Sequence, residues 1–152
     1  MEYLDWDCMS RNLQTAVKIT KEWAEQSVTL KGSCVGCSFI LEDDSLCSGA
    51  TVGHSRIVGS TCAERMAIDK VYMSKRTPMT CVVVGKLVRN EWNEQNICTP
   101  CGSCLEMIWE FLMYKNMSDI EIVCCSWDMQ NILKTSLTEL YPRIESVRKV
   151  YD

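Results

Sequence analysis

A run of β-branched residues in the middle of the chain limits the folds that this sequence can adopt. The segment from Met79 to Gly85 contains the uninterrupted stretch Thr80-Cys81-Val82-Val83-Val84, which lacks the apolar and polar alternation of a half-exposed strand. A strand that is apolar on both faces must be covered on both faces, and in α/β proteins helices provide that cover. The sequence therefore predicts a sheet with helices on either side.

Helical and strand-like patterns alternate around this run. Apolar residues recur at helical spacing in three segments, and β-branched or apolar runs bounded by turn residues mark four more strands. The order predicts a three-layer α/β/α sandwich around a mixed five-stranded sheet. The expected helices are Asp7–Gln26, Cys62–Lys75 and Gly102–Tyr114, with further helical segments at Leu137–Leu140 and Pro142–Tyr151, and the expected strands are Cys34–Leu41, Leu46–Val52, Met79–Gly85, Asp119–Ser126 and Asn131–Leu137.

Length, composition and charge restrict the class of protein. With 152 residues and 47% apolar content, the chain can bury one core, and we expect a single domain over residues 1–152. The net charge of −4 and the isoelectric point near 5.1 disfavour a nucleic-acid partner, which usually requires a basic surface. We find no secretory signal pattern and no apolar run long enough to cross a bilayer. Because eleven cysteines, an odd number, suit a reducing compartment, we expect a cytoplasmic protein with no membrane partner.

Two short motifs place three cysteines where helices begin. The first is Thr61-Cys62-Ala63-Glu64-Arg65, and the second is Pro100-Cys101-Gly102-Ser103-Cys104. Cys101 and Cys104 are three residues apart at a helix start, so their sulfur atoms can point to the same side. Cys62 begins the other helix, where unpaired N–H groups favour a thiolate. If the two helix starts pack together, the three sulfur atoms surround one point.

These residue types predict a zinc site that performs chemistry. A structural zinc usually has four protein ligands, whereas three thiolates leave one coordination position for water. Glu64 follows Cys62 by two residues and can accept a proton from that water. Arg65 can donate to the thiolate sulfurs and restore the electrophilicity that three anionic ligands reduce. A surface salt bridge is the alternative role for Arg65.

A second C-x-x-C pair, formed by Cys34 and Cys37, is a rival source of metal ligands. Residues three apart on an extended strand face opposite sides of the sheet, so we expect these two sulfur atoms to diverge. Core packing is therefore the favoured role for the pair. The same small, buried, apolar role is expected for Cys8, Cys47, Cys81, Cys98, Cys124 and Cys125.

The motifs together resemble those of a known enzyme family. The run from Cys62 to Ile68, followed by the run from Pro100 to Cys104 and then by Glu110-Phe111, is similar to the zinc-dependent cytidine deaminases of the small, free-nucleoside type. The resemblance extends from the Val35-Gly36 strand to about Ile122. A cysteine as the first ligand resembles the free-nucleoside branch and differs from the branch that edits polynucleotides.

The resemblance implies specific roles for the motif residues. It implies that Cys62, Cys101 and Cys104 hold Zn²⁺ and that Glu64 is the catalytic proton shuttle. It also implies hydrolytic deamination of cytidine, deoxycytidine or a close aminopyrimidine nucleoside to the uridine form plus ammonia, as in pyrimidine salvage. The family commonly forms homotetramers with active sites completed across subunits.

The helix predicted over Gly102–Tyr114 bears on self-association, because apolar residues cover most of its circumference. Such a helix is either deeply buried or packs against another subunit. Both explanations are open at the level of sequence. With the family resemblance, we expect a homo-oligomer, either a tetramer or a dimer, and a nucleoside as the small-molecule partner.

The sugar-binding positions depart from the family pattern. The typical enzyme holds the ribose hydroxyls with an Asn-x-Glu pair placed eleven and nine residues before the first ligand, and these positions are Thr51 and Gly53 here. Loss of hydrogen bonds to a substrate hydroxyl can change discrimination by about 10⁴-fold. We expect Thr51 and His54, the only histidine, to contact the substrate instead, with an exposed loop position as the alternative for His54.

Two other functions are open at this stage. One is a shifted substrate, similar to that of the blasticidin-S deaminases, which act on a modified cytosine nucleoside. The other is a domain that has lost catalysis, in which zinc organises the fold and the apolar helices assemble partners. Glu64 argues against the second, because a purely structural site needs no carboxylate beside an open coordination position.

Overall fold

The computed structural model describes residues 1–53 and 59–142 of the chain. His54 and the predicted helical segment beyond residue 142 lie outside the described residues. The elements are β1 (Glu2–Leu4), α1 (Arg11–Glu25), β2 (Cys34–Leu41), β3 (Leu46–Ala50), α2 (Ala63–Ser74), β4 (Pro78–Lys86), α3 (Gly102–Tyr114), β5 (Glu121–Cys125), β6 (Ile132–Ser136) and α4 (Leu137–Leu140).

The strands form one mixed sheet in the order β1-β6-β5-β4-β2-β3. β4 and β5 run parallel, and the other neighbouring pairs are antiparallel. The strand predicted from the β-branched run is confirmed as β4, which lies inside the sheet between β5 and β2. Its residues Cys81 to Val84 are fully buried, because helices cover both faces at this point.

Successive residues of β4 point into two separate cores. Cys81 and Val83 belong to the core that β4 shares with α2 and α3, whereas Val82 and Val84 belong to the core on the α1 side. This alternation follows from the two-residue period of a strand. The predicted α/β/α layering is confirmed.

The sheet has six strands rather than the predicted five. The additional strand, β1, pairs antiparallel with β6 at the sheet edge, with Glu2 opposite Lys134. A three-residue strand that is largely exposed carries no apolar alternation, so its sequence gave no signal. Its backbone pairing with β6 and an ion pair of 3.4 Å between Lys134 and Glu2 hold it in place.

Several element ends also differ from the prediction, and the structure shows local causes for two of the differences. The first long helix begins at Arg11 rather than Asp7, because Trp6–Cys8 forms a separate 3₁₀ turn and the Ser10 side chain caps α1 by accepting from Leu13 N at 3.2 Å. β3 ends at Ala50 rather than Val52, because the Val52 backbone pairs with residues 28 and 61 instead. Among residues 1–53 and 59–142, no helix combines the length and apolar character needed to cross a membrane.

Candidate metal centre

The two cysteine motifs begin the two helices that cover one face of the sheet. Cys62 is the N-cap of α2 and Cys101 is the N-cap of α3, and both have extended backbone dihedral angles. The first N–H groups of a helix have no partner within the helix, and the macrodipole adds a partial positive charge there. Both thiols therefore lie where a thiolate is favoured, as the sequence predicted.

The fold brings the three predicted sulfur ligands together. The Sγ atoms of Cys62, Cys101 and Cys104 all lie within 4.8 Å of one another, and those of Cys101 and Cys104 are 3.5 Å apart. Tetrahedral zinc with Zn–S bonds of about 2.3 Å requires sulfur atoms about 3.8 Å apart. The cluster therefore fits a zinc ion without rearrangement of the helices. Cys104 is buried, Cys62 is half-buried and Cys101 is exposed, so the cluster opens to solvent on one side.

Two thiols of the cluster, those of Cys62 and Cys104, have pKa values shifted in opposite directions. A hydrogen bond from Cys104 is the largest effect on Cys62 and, with the charge of Arg65, lowers the pKa of Cys62 to about 6 against the opposing effects of burial and of Glu64. The same hydrogen bond, followed by burial and the Glu64 charge, raises the pKa of Cys104. Cys62 therefore ionises more readily than Cys104, and the positive charge of Arg65 acts on it.

Glu64 lies beside the cluster but does not belong to it. Its side chain is 5% exposed, in the first turn of α2. Burial raises the pKa of Glu64, while hydrogen bonds from its own backbone N–H and from Cys104 partly offset the shift. A buried carboxyl whose pKa is raised can both accept and release a proton closer to neutral pH than an exposed one.

Thr51 and Gly53 occupy the positions at which the family resemblance led us to expect sugar-binding side chains. Backbone hydrogen bonds connect this segment to the residue before Cys62. Val52 exchanges hydrogen bonds of 3.0 and 2.8 Å with Thr61, the residue before Cys62. Thr51, on one side of Val52, is half-buried, and its N–H donates to the Val35 carbonyl oxygen at 3.0 Å. Gly53, on the other side, donates to the Val28 carbonyl oxygen at 2.6 Å. Thr51 is thus adjacent to Val52, whose backbone pairs with the residue before Cys62, whereas His54 lies outside the described residues.

The rival cysteine pair does not contribute to the cluster. Cys37 is buried beneath α2 and α3 with its Sγ 3.7 Å from that of Cys81, whereas Cys34, three residues earlier, is half-buried at the end of β2. The expected divergence of the pair is confirmed. The expectation of burial is wrong for Cys8, which is exposed because the 3₁₀ turn that carries it lies on the surface, and Cys47 is only half-buried.

One buried thiol that responds to the Glu64 charge was not recognised in the sequence. Cys98 is buried with 4% exposure, and the pKa of its thiol is raised to about 12 by burial first and by the Glu64 charge second, against the positive charge of Arg89. The Arg89 guanidinium in turn lies 4.7 Å from the centroid of the Trp92 ring. The only sequence signal for this effect is the position of Cys98 two residues before Pro100.

Comparisons with known proteins agree with the centre and the fold. Residues 10–118 match the family model described as the cytidine and deoxycytidylate deaminase zinc-binding region. The matched region includes all three cysteines of the cluster and Glu64, so the predicted zinc cofactor is confirmed by the family and by a sulfur cluster that can hold it.

Solved structures of similar fold are also cytidine deaminases. The chain is 19% identical to the enzyme from Burkholderia pseudomallei, with a TM-score of 0.70 over 88% of this chain and 98% of that one. It is 18% identical to the enzyme from Mycobacterium leprae, with a TM-score of 0.65 over 88% and 100%, and 16% identical to that from Bacillus anthracis, with a TM-score of 0.65 over 90% and 91%. At such identities the likeness concerns the fold.

Proposed function

The chain belongs to the cytidine and deoxycytidylate deaminase family, which makes it a zinc-dependent hydrolase, and we propose that it deaminates cytidine, deoxycytidine or a close aminopyrimidine nucleoside. The products would be the uridine form and ammonia. One observation carries the proposal: three sulfur atoms lie within 4.8 Å of one another beside a carboxyl group that is 5% exposed. A site that served structure alone would have no use for that carboxyl.

The proposed chemistry assigns proton transfer to Glu64. When bound, zinc lowers the pKa of a water molecule so that it can attack near neutral pH. Glu64 would accept a proton from this water and deliver it to the ring nitrogen next to the reacting carbon. It would then pass the second water proton to the amino group, and the carbon–nitrogen bond breaks to release ammonia. The raised pKa of the Glu64 carboxyl supports this role, because the group must take up and give up protons in turn.

Arg65 is proposed to support the centre rather than to touch the substrate. Three thiolates would give the zinc site a net negative charge, which opposes the activation of water. The positive charge of Arg65 acts on the Cys62 thiolate, which lies at the start of α2 and is one of the three sulfur atoms of the cluster. A cation at this place partly offsets the thiolate charge and so makes the metal a stronger Lewis acid.

A free nucleoside is favoured over a polynucleotide by the charge of the chain. The net charge of −4 would repel a phosphate backbone, whose binding usually needs several Lys and Arg contacts. We therefore place nucleosides ahead of nucleic acids as substrates. Deoxycytidylate, which carries a single phosphate, is the natural comparison substrate because the family description includes it.

A modified cytosine nucleoside such as blasticidin S is the second candidate substrate. The observation that favours it is the replacement of the family's sugar-binding Asn and Glu by Thr51 and Gly53. Gly53 has no side chain to accept from a sugar hydroxyl, so a substrate selected by ribose hydroxyls loses a contact here. Thr51 and His54 are proposed as the residues that contact the sugar or its substitute.

Ammonia release from a substrate panel tests the proposal. Cytidine, deoxycytidine, deoxycytidylate and blasticidin S would be compared at equal concentration with zinc-loaded protein. Turnover of the unmodified nucleosides supports the first candidate, and turnover of blasticidin S alone replaces it with the second. If the zinc-loaded protein is inactive on the whole panel, the proposal is wrong and a non-catalytic role for the zinc domain is favoured.

Self-association and a cytoplasmic location complete the proposal. Six residues of α3 are buried within the subunit, which explains much of its apolar circumference. An aromatic cluster nevertheless reaches the surface between α2 and α3, where Tyr72 and Tyr114 are 42% and 71% exposed around Phe111. Light scattering of the zinc-loaded protein would give the subunit number, for which we expect a dimer or tetramer. The eleven free cysteines support a reducing compartment.

A further inference from the structure

The first turn of α2 lies against the backbone of β3 with no space for a side chain between them. The two elements approach each other closely at Gly49 of β3, which pairs with Cys37 of β2. A Cβ atom at Gly49 would be 2.6 Å from the Ala63 carbonyl oxygen, 2.7 Å from Met66 Cβ and 2.9 Å from Ala67 N. Two of these three atoms are backbone, so they cannot move without moving the helix.

This contact holds the start of α2, which carries Cys62 and Glu64, two of the four residues assigned to the centre. Ala63 lies between Cys62 and Glu64 in the chain, so a displacement of its carbonyl displaces both neighbours. Cys101 and Cys104 belong to α3 and do not share the contact. The distance between α2 and β3 therefore sets the position of Cys62 and Glu64 relative to the other two sulfur atoms.

We propose that Gly49 is a positioning residue of the zinc centre: by lacking a side chain it seats the first turn of α2 on β3 and so aligns Cys62 and Glu64 with Cys101 and Cys104. The alignment of Glu64 matters only if the proposed deamination is correct, whereas the alignment of Cys62 does not depend on it. Gly49 touches neither metal nor substrate and acts through the helix.

The required displacement is large on the scale of metal coordination. To bring a Cβ at residue 49 from 2.6 Å to the 3.4 Å at which ordinary contact begins, the Ala63 carbonyl must move by about 0.8 Å. Metal sites tolerate deviations of about 0.2 Å in their ligand distances, and catalytic constellations about 0.5 Å. A single methyl group at this point should therefore disturb the centre more than the fold.

The opposite face of the same strand pair provides a matched control. Gly36 of β2 pairs with Ala50, next to the pair that contains Gly49, and faces α1. A Cβ atom at Gly36 would overlap the Thr20 carbonyl oxygen and lie 2.8 Å from Ala24 N, so the steric conflict is at least as severe. Since α1 carries none of the residues assigned to the centre, a substitution there tests stability without touching the cluster.

A second control lies beside the cluster itself. Gly102 is the first residue of α3, between Cys101 and Cys104, and a Cβ atom there would meet nothing within 4 Å. Gly102→Ala therefore changes a glycine of the motif without a steric conflict. It separates the effect of crowding from the effect of altering any glycine near the metal.

The experiment compares zinc affinity in Gly49→Ala, Gly36→Ala and Gly102→Ala by chelator competition, with cobalt absorption spectra as a probe of ligand geometry. We expect Gly49→Ala to lose about 10- to 100-fold in zinc affinity, the range that misplaced supporting residues cause, and to show an altered cobalt spectrum. Gly36→Ala should lower the melting temperature but keep the wild-type affinity and spectrum. Gly102→Ala should keep the wild-type melting temperature, zinc affinity and cobalt spectrum.

Wild-type zinc affinity and an unchanged cobalt spectrum in folded Gly49→Ala would overturn the proposal. If that variant does not fold, Met66→Val adds a branch at Met66 Cβ, the one side-chain atom of this contact, and is expected to weaken zinc binding in the same way. Failure of both variants to fold while Gly36→Ala folds would also overturn it, because the contact would then serve the fold alone. Because the measurements need no substrate, a failure of the proposed deamination leaves this comparison intact.

Discussion

The two faces of the sheet use their buried polar groups differently. On the α1 face, Thr20 donates to the Ala16 carbonyl oxygen at 2.6 Å, and the hydroxyls of Thr20, Ser38 and Ser48 are linked by hydrogen bonds of 2.7 and 2.6 Å. Each hydroxyl can donate to the next, so the chain of bonds is satisfied internally. This face stabilises the fold and offers no reactive group within that chain.

On the face that α2 and α3 cover, the buried polar groups include thiols and the Glu64 carboxyl. Burial raises the pKa of Cys37, and the pKa values of Cys104 and Glu64 are also raised. These groups lie at or below the opening formed by the two helix starts, where Cys101 reaches solvent. One face is therefore built for stability and the other for chemistry.

The largest effect is expected at the carboxyl beside the cluster. Glu64→Gln keeps the shape of the side chain but removes proton transfer, so turnover should fall by about 10²- to 10⁴-fold, the usual contribution of a general acid–base group. Zinc content and melting temperature should stay close to those of the wild type. Steady-state ammonia release together with metal analysis would check this, and undiminished turnover would refute the role of Glu64.

The next effect concerns the metal itself. Cys104→Ala removes one of three sulfur ligands, and we expect zinc to be lost at chelator concentrations that leave the wild type loaded. Cys81→Ala is the matched control, because Cys81 is a fully buried thiol on the same face but outside the cluster. Equal zinc retention in both variants would contradict the assigned ligand set.

The α1 face should respond in stability and not in metal binding. Thr20→Val preserves the shape of the side chain but leaves Ser38 without one hydrogen-bond partner, which should cost about 1–3 kcal/mol of unfolding free energy. Thr15→Val, at an exposed position of the same helix, should change stability much less. Urea unfolding and zinc titration would check both variants. A loss of zinc affinity in Thr20→Val would contradict the claim that the α1 face contributes to stability and not to metal binding.

The smallest effect lies at the start of β5 and depends on pH. Burial opposes ionisation of Asp119, but hydrogen bonds from Thr138 and Ile120 outweigh it and lower the pKa of the carboxyl. A lowered pKa in the folded state contributes stability above the unfolded value of about 3.9, and this contribution is lost as the pH falls through the folded value. Asp119→Asn should therefore destabilise the protein at pH 7 by about 1–2 kcal/mol, and this difference should disappear as the pH falls through the folded-state pKa of Asp119.

Unfolding of Asp119→Asn and the wild type at pH 7 and at successively lower pH would measure this difference. The same loss of stability at every pH would show that the charge of Asp119 is not responsible. Zinc affinity is the control quantity, because Asp119 belongs to neither helix start.

Sequence patterns predicted the parts of the molecule that depend on local chemistry. The β-branched run became β4, and the cysteine motifs marked both helix starts, because strand burial and N-cap chemistry are encoded within a few residues. β1 escaped prediction because its stability comes from pairing with β6 rather than from its own three residues. The α1 start was predicted too early because the 3₁₀ turn at Trp6–Cys8 continues the apolar pattern.

Features that depend on close approach between distant segments could not be predicted in this way. The effect of the Glu64 charge on the Cys98 thiol and the absence of space at Gly49 arise only when β3, α2 and the segment before α3 are packed together. A glycine near the end of a strand is compatible with several local roles, including flexibility and a bulge. Its role as a contact point therefore becomes visible only in three dimensions.

The most direct test of the account is the zinc content of purified, fully reduced protein. We predict one zinc ion per chain, bound through thiolates and recovered after removal and reconstitution of the metal. A protein that folds with the expected helix and strand content but neither contains zinc nor takes it up would contradict the account at its centre.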